Sequence, residues 1–325
     1  MRKPGWSVFL LFAGIVACAS LPVFDSSAQS YPVKPVRILV GFAPGGAVDI
    51  IARLVGQKLS ENLGQPVVIE NRPGASTAIA TDRVAKSPAD GYTLLLIAIS
   101  TALQSALRTN LPYDLKRDLA PVSLVSIGPF VLVVHPSLPA RNVKGLIALA
   151  RSQPGKLSVG SPGVGSAPHL AGELFKSRTN VNVVHVPYKG SGDSVVAAAS
   201  GLVPVCFASL ASALILLDAG RLRPLAVTTA KRASLLPSTP TLDESGLPGY
   251  DYSAWYGVSA PAGVPKDIIA RLAALLGQVV PEIKESLNKQ ALEPRTSTPE
   301  QFAALIDREI EQTVKLIQLT GLKAE

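Results

Sequence analysis

Apolar and polar positions follow two rhythms along this chain. Mostly apolar runs at 36–40, 67–70, 92–99, 130–134, 157–160, 183–186, 203–207 and 225–228 have the length of buried strands. Between them, apolar residues recur every three to four positions at 48–63, 77–86, 143–152, a segment ending at 176, and 191–201, which predicts helices. Gly64 and Gly201 stand where helices stop, and turns are marked at Asn71-Arg72-Pro73-Gly74 and Asp90-Gly91. Strands alternating with helices predict a mostly parallel, helix-covered sheet of the α/β class. The pattern restarts near residue 130, so two α/β halves are expected, and helices at 266–278, 281–290 and 299–320 close the chain. Strand-like stretches around 121–130 and 250–260 lie between the two sets and are the candidate crossings between domains.

The first residues follow a different logic. Arg2 and Lys3 precede a mostly apolar stretch at 7–19, too short for a membrane span, and Ser26-Ser27-Ala28 supplies small residues at a cleavage position. Residues 1–28 therefore read as a secretory signal cut after Ala28. The competing reading is a lipoprotein, because Ile15-Val16-Ala17-Cys18 loosely resembles a lipobox but lacks its usual Leu and Gly. Either way the mature chain is expected outside the cytoplasm, in the periplasm.

Composition narrows the function classes. The chain of 325 residues is 47% hydrophobic, ample for a packed core, and only 17% charged, below the roughly 25% of an average domain. Without residues 1–28 it keeps 29 basic and 22 acidic side chains, a net +7. These charges are scattered, whereas nucleic acid binding calls for a basic patch with stacking aromatics, so no nucleic acid partner is expected. The excess favours anionic solutes or a charged partner surface. Beyond Cys18 the only cysteine is Cys206, which leaves no intramolecular disulfide in a mature chain. His135, His169 and His185 show neither HxH nor HExxH spacing, so neither a metal nor another cofactor is expected.

Two glycine-bearing loops carry candidate chemistry. GFAPGGAVDIIAR at 41–53 follows a strand and opens a helix. The first N–H groups of a helix lack internal partners and carry partial positive charge, so an anion can dock there. The motif is neither a Walker loop nor a dinucleotide fingerprint, since no Gly-Lys-Ser/Thr follows and its glycines are adjacent. A structural turn and an anion site both fit, and Asp49 in the first helical turn either complements the dipole or meets a ligand group. SPGVGSAPHL at 161–170 repeats the arrangement, with Ser161, Ser166, Gly163, Gly165 and His169. A secreted serine hydrolase using Ser161 or Ser166 with His169 is the alternative here. Neither serine sits in GxSxG, which argues against it.

Taken together the motifs resemble the substrate-binding proteins of tripartite tricarboxylate transporters, the Bug family. The matching pieces are YPVKPVRILVGFAPGGAVDIIAR (31–53), VVIENRPGAS (67–76), DGYTLLL (90–96), LPYDLKRDLAPVSL (111–124), HPSLPA (135–140), the loop 161–170, VHVPYKGSGD (184–193), LAVTTAKRASLLPSTPTLDESGLPGY (225–250) and WYGVSAPAGVP (255–265). The resemblance implies a two-domain periplasmic binding protein fold, type II-like, with two crossing strands as the hinge. Residues 29–128 plus 253–325 would form one domain and 129–252 the other. It implies a non-enzymatic receptor that binds a small carboxylate in the cleft and delivers it to membrane permease subunits. A sensory role on a membrane kinase stays open. Carried over by position, the ligand contacts are Phe42, Ala43, Pro44, Gly45 and Asp49, then Ser76 and Thr77, Ser100 and Thr101, and Ser161, Gly165, Ser166 and His169. Where the family usually has several glycines and an Asn, this chain has Ala75-Ser76-Thr77-Ala78-Ile79-Ala80. Pro204 and Ala208-Ser209 also depart from the usual Asp or Asn, which leaves the ligand's identity open.

Overall fold

The computed structural model describes Met1 and residues 31–320. The expected signal segment, its cleavage after Ala28 and the Cys18 alternative lie outside the described residues. The chain runs β1 (Val36–Val40), α1 (Ala47–Leu63), β2 (Val67–Asn71), a 3-10 turn at Ala75–Thr77, α2 (Ala78–Ala85), β3 (Thr93–Ala98), α3 (Ile99–Leu107), α4 (Leu115–Asp118) and β4 (Leu119–Val134). It continues through α5 (Val143–Ser152), β5 (Ser158–Ser161), α6 (Ala167–Thr179), β6 (Val184–Pro187), α7 (Ser191–Ala199), β7 (Val205–Ser209), α8 (Leu210–Asp218) and β8 (Arg223–Val227). It ends with β9 (Ser253–Pro261), α9 (Lys266–Glu282), α10 (Lys284–Asn288), β10 (Glu293–Pro294) and α11 (Pro299–Thr320).

Local chemistry sets these boundaries. Gly64 ends α1 in the left-handed conformation and donates its N–H to the Ser60 carbonyl. The Asn142 side chain caps α5 by accepting the Gly145 N–H at 2.8 Å. Ser166 caps α6, with Pro168 in its first turn, where the missing proline N–H costs no hydrogen bond.

The strands lie in the order β2-β1-β3-β9-β4-β7-β5-β6, with β8 and β10 each pairing with β4. Pairs β1/β2, β1/β3, β5/β6 and β5/β7 are parallel, while β9 and β4 run antiparallel to their neighbours. β4 is the joint. Its residues from Leu119 to Pro129 pair with β9, and Phe130 to Val134 pair with β7 and β8. Register shifts between Pro121 and Ser123 and between Leu124 and Ser126 interrupt the ladder near Pro121, as an internal proline requires.

The core divides accordingly. One apolar cluster joins β1, β3, β9, α1, α9 and α11 in a first lobe. In the second lobe the run Val131-Leu132-Val133-Val134 feeds two faces in alternation. Leu132 and Val134 pack toward α5 and α6, and Val131 and Val133 toward α7 and α8. A strand covered on both faces has no polar side to show, which is why this segment reads as continuous apolar sequence. Ala167, Leu170 and Ala211, from the starts of α6 and α8, join the first lobe's cluster, so the lobes are docked.

Gly257 sits where β9 crosses β4 under α11. A Cβ there would overlap the fully buried Phe302 ring and lie 2.7 Å from the Ser123 carbonyl oxygen. Gly257→Ala should therefore cost about 1–3 kcal/mol, the usual range for overpacking. The urea midpoint should fall at unchanged slope and recover in part with Phe302→Leu. An unshifted midpoint contradicts this packing.

Candidate functional site

The first loop turns at Gly45, whose φ of 84° suits glycine, and α1 starts from Gly46 without a side-chain cap. Three other helices at the same cleft start in the same way. No side chain caps α3 at Ala98, α7 at Gly190 or α8 at Ser209, whose hydroxyl lies 2.5 Å from that of Ser212. All four starts open onto one cleft of about 380 Å³ between the lobes. The first lobe lines it with Phe42, Gly46, Ala47, Val48, Ala98, Ile99, Ser100 and Tyr256. Pro162, Pro168, Ser191 and Ser209 come from the second lobe, and Phe130 of β4 lies between. None of these residues is charged. Orphan N–H groups and hydroxyls in an uncharged, half-apolar pocket can bind a small anion, since each amide gains a partner and no cation is buried.

Asp49 is absent from this lining. Its Oδ2 accepts the Gly45 N–H and Arg53 Nε, both at 3.1 Å, and its Oδ1 accepts Arg53 Nη2 and Asn71 Nδ2, both at 3.0 Å. Asn71 Nδ2 also donates to the Phe42 carbonyl at 3.1 Å. Asp49 thus braces the loop from behind. Burial alone would raise its pKa, but the bonds from Arg53, Gly45 and Asn71 hold it below the ordinary carboxylate value.

The second loop is braced by a histidine pair. Ser161 Oγ lies 2.6 Å from His185 Nε2 and accepts the Gly163 N–H, and Ser166 Oγ donates to the Gly163 carbonyl at 2.7 Å. His169 Nδ1 accepts the Gly165 N–H at 3.0 Å, and its ring stacks on His185 at 3.8 Å between centroids. Beyond it, His169 Nε2 lies 3.5 Å from Glu173, which Lys176 also engages. Both His169 nitrogens are thus engaged, and its ring makes no bond to either serine. A larger cavity of about 460 Å³ lies behind this loop among Leu146, Phe175 and Val183, but no uncapped helix start opens into it. The cleft is therefore the candidate site.

Several expected residues join the lobes instead of lining the cleft. Ser76 Oγ donates to the Val164 carbonyl at 2.6 Å and the Ala43 N–H to the Lys189 carbonyl at 3.2 Å, and Gln104, which was not among the expected residues, donates from Nε2 to the Gly165 carbonyl at 2.9 Å. Ser100 does both, since its Oγ accepts the Ala167 N–H at 3.1 Å. Thr77 and Thr101 share a hydrogen bond at 3.2 Å beneath the loop. Pro44 and Gly45 pack against Gly192 of the other lobe. Ala75, Ser76 and Thr77 all have positive φ, a strained backbone that glycine would adopt freely. Of the expected contacts, Phe42 and Ser100 line the cleft. Sequence reasoning missed Ser191, Ser209, Tyr256 and Gln104. Ser191 was within reach, because Lys189-Gly190-Ser191 repeats the strand–glycine–helix pattern of the first loop. Tyr256, in the aromatic pair Trp255-Tyr256 near the second crossing, reads from sequence as core or hinge packing.

Residues 51–322 match the family described as tripartite tricarboxylate transporter family receptor. The chain is 38% identical to Protein BugT of Bordetella pertussis over 97% of this chain and 96% of the relative. A solved R. palustris protein with adipate is 37% identical at a TM-score of 0.88, covering 90% of this chain and 99% of that one. MatC from Rhodopseudomonas palustris with bound malate is 29% identical at a TM-score of 0.85, covering 88% and 100%. The fold is that of periplasmic binding proteins.

The histidine network predicts two successive acid windows. Burial, with His169 adding to it, lowers His185 from 6.5 to about 4. The unfolded chain thus takes up this proton first, and stability falls between about pH 6.5 and 4. Burial works to raise Glu173, but His169 and Lys176 outweigh it and bring it from 4.5 to about 2, so its contribution is lost between about pH 4.5 and 2. In thermal melts, His185→Gln should flatten the upper window and leave the lower one. A profile parallel to wild type contradicts the assignment.

Proposed function

The chain belongs to the tripartite tricarboxylate transporter receptor family, and from that premise we propose that it captures a small carboxylate in the cleft and passes it to membrane permease subunits. The observation that carries this reading is the meeting of four uncapped helix starts around a cleft with no charged side chain. Such a site holds a carboxylate by neutral donors and releases it without breaking an ion pair. Adipate in the R. palustris relative and malate in MatC support the ligand class. The receptor works outside the cytoplasm, after loss of residues 1–28, and performs no covalent chemistry.

In this reading residues 29–128 with 253–325 and residues 129–252 are the bodies that close, and β4 and β9 are the hinge. Donors from both bodies reach the ligand only when closed, so binding shifts the population toward the docked state. Ala43, Pro44, Gly45, Ser76, Thr77, Thr101, Ser161, Gly165, Ser166, His169 and Asp49 then shape the site by bracing or docking its loops. Phe42 and Ser100 touch the ligand.

Calorimetric titration of ligand-free protein with adipate and malate should show saturable binding to one site. A Cβ on Gly165 would strike the Gln104 amide and lie 2.7 Å from Leu107, whereas one on Gly45 has nothing within 4 Å. Gly165→Val should weaken binding at least tenfold and leave the lobes apart in small-angle scattering. Gly45→Ala should cost only about 1–2 kcal/mol of backbone strain. Wild-type affinity in Gly165→Val would remove the docking role of this loop.

A further inference from the structure

One side chain outside the cleft grips the second loop from the first lobe. Gln104 of α3 is fully buried, and its Nε2 donates to two carbonyls of the other lobe, that of Gly165 at 2.9 Å and that of Val164 at 3.3 Å. Its Oε1 accepts Arg108 Nε at 2.7 Å. Neither Gln104 nor Arg108 lines the cleft.

The chemistry of the partners fixes which way the amide points. A guanidinium only donates and a carbonyl only accepts, so the amide oxygen must face Arg108 and the nitrogen must face the loop. Arg108 closes the same helix, and its main-chain N–H donates to the Gln104 carbonyl at 3.0 Å. The orienting group therefore belongs to the first lobe. It keeps the amide aimed whether or not the second lobe is near, so little side-chain freedom is lost when the lobes meet. The receiving surface suits this amide, since a Cβ on Gly165 would strike it. Beside it, Ser76 Oγ also donates to the Val164 carbonyl, and Ser100 Oγ accepts the Ala167 N–H. Three side chains of the first lobe thus hold residues 164–167, where α6 begins. Ser100 is the one of the three that also lines the cleft.

We propose that Gln104, aimed by Arg108, is the latch that sets how much of the receptor is docked, and thereby sets ligand affinity and residence time without touching the ligand. The latch rests on the two-lobe closure of the reading above, but not on which acid is bound. Apparent affinity falls in proportion to the fraction of molecules in the binding-competent state. Loss of the latch therefore weakens every ligand by the same factor, whereas loss of a group that contacts the ligand changes the order of preference among ligands.

The test uses the full mature chain with a spin label on one exposed residue of each lobe, Glu61→Cys and Ser177→Cys, the native Cys206 being fully buried. Lobe-to-lobe distances are measured by pulsed electron resonance with and without adipate and malate, and affinities and release rates are measured for both acids. Three variants are compared. Gln104→Leu removes the donors, Gln104→Glu keeps the shape but turns an acceptor toward the two carbonyls, and Arg108→Ala frees the amide to rotate. Both Gln104 variants should lower the docked population, weaken each acid by about tenfold, the loss of two hydrogen bonds, and speed release. The factor should be the same for adipate and malate. Arg108→Ala should act in the same direction by about two- to threefold, and it decides the matter should a Gln104 variant fail to fold. Wild-type distances and affinities in the variants overturn the latch, and so do factors that differ between the two acids. If wild type binds neither acid, the carboxylate reading fails, and the distance distributions of wild type and variants then decide the latch alone: equal docked populations overturn it.

Discussion

Every α-helix begins with N–H groups that its own backbone cannot satisfy, and here four helices bring that deficit to one place. α1 and α3 approach from the first lobe and α7 and α8 from the second, each without a side-chain cap. Elsewhere Asp114 caps α4, Asn142 caps α5 and Ser166 caps α6, while α2, α9 and α10 also start without a side-chain cap but away from the cleft. What sets the four apart is that they converge on one cleft. Unpaired amides next to Phe42, Val48, Ile99 and Phe130 are a standing demand for an acceptor that the protein does not supply. A small anion meets that demand.

The rest of the architecture holds those four starts in place. Asp49, Arg53 and Asn71 fix the first loop, and Ser161, His169, His185 and Glu173 fix the second. These charged and titratable groups stand behind the loops, which keeps the cleft neutral while its walls stay rigid. The lobes meet through backbone carbonyls at Val164, Gly165 and Lys189. Such contacts are few and modest, each worth about 0.5–1.5 kcal/mol, so a ligand's differential binding can decide between open and docked states. The strained turn at 75–77 belongs to the same surface, because Ser76 makes one of those contacts.

Much of this fold could be read from the sequence because burial imposes regular patterns. The helices at 143–152 and 299–320 match the expected bounds to the residue; an Asn cap starts the first and a proline leads the second. α3 was not legible: the apolar run of β3 continues into Ile99 with no turn residue to mark the change. β4 was read only in part, since Pro121 and Pro129 look like breaks, and the bulges and strand end that accommodate them are set by pairing with β9. In the site, the two glycine loops announced themselves because their conformation depends on local residue type. Tyr256 and Ser209 became visible only when β9 and β7 delivered them to one cavity. The Bug-family likeness supplied the whole ordered frame, yet most of the residues carried over from it brace or dock the loops instead of lining the cleft.

The central claim is that neutral donors from both lobes hold the acid. A crystal structure of the chain grown with adipate tests it most directly. The account predicts carboxylate oxygens about 3 Å from backbone N–H groups at the starts of α1, α3, α7 or α8, with contacts from both lobes and no Lys or Arg touching the ligand. Adipate held by a cationic side chain, or seated in the cavity behind the 161–166 loop, would contradict it.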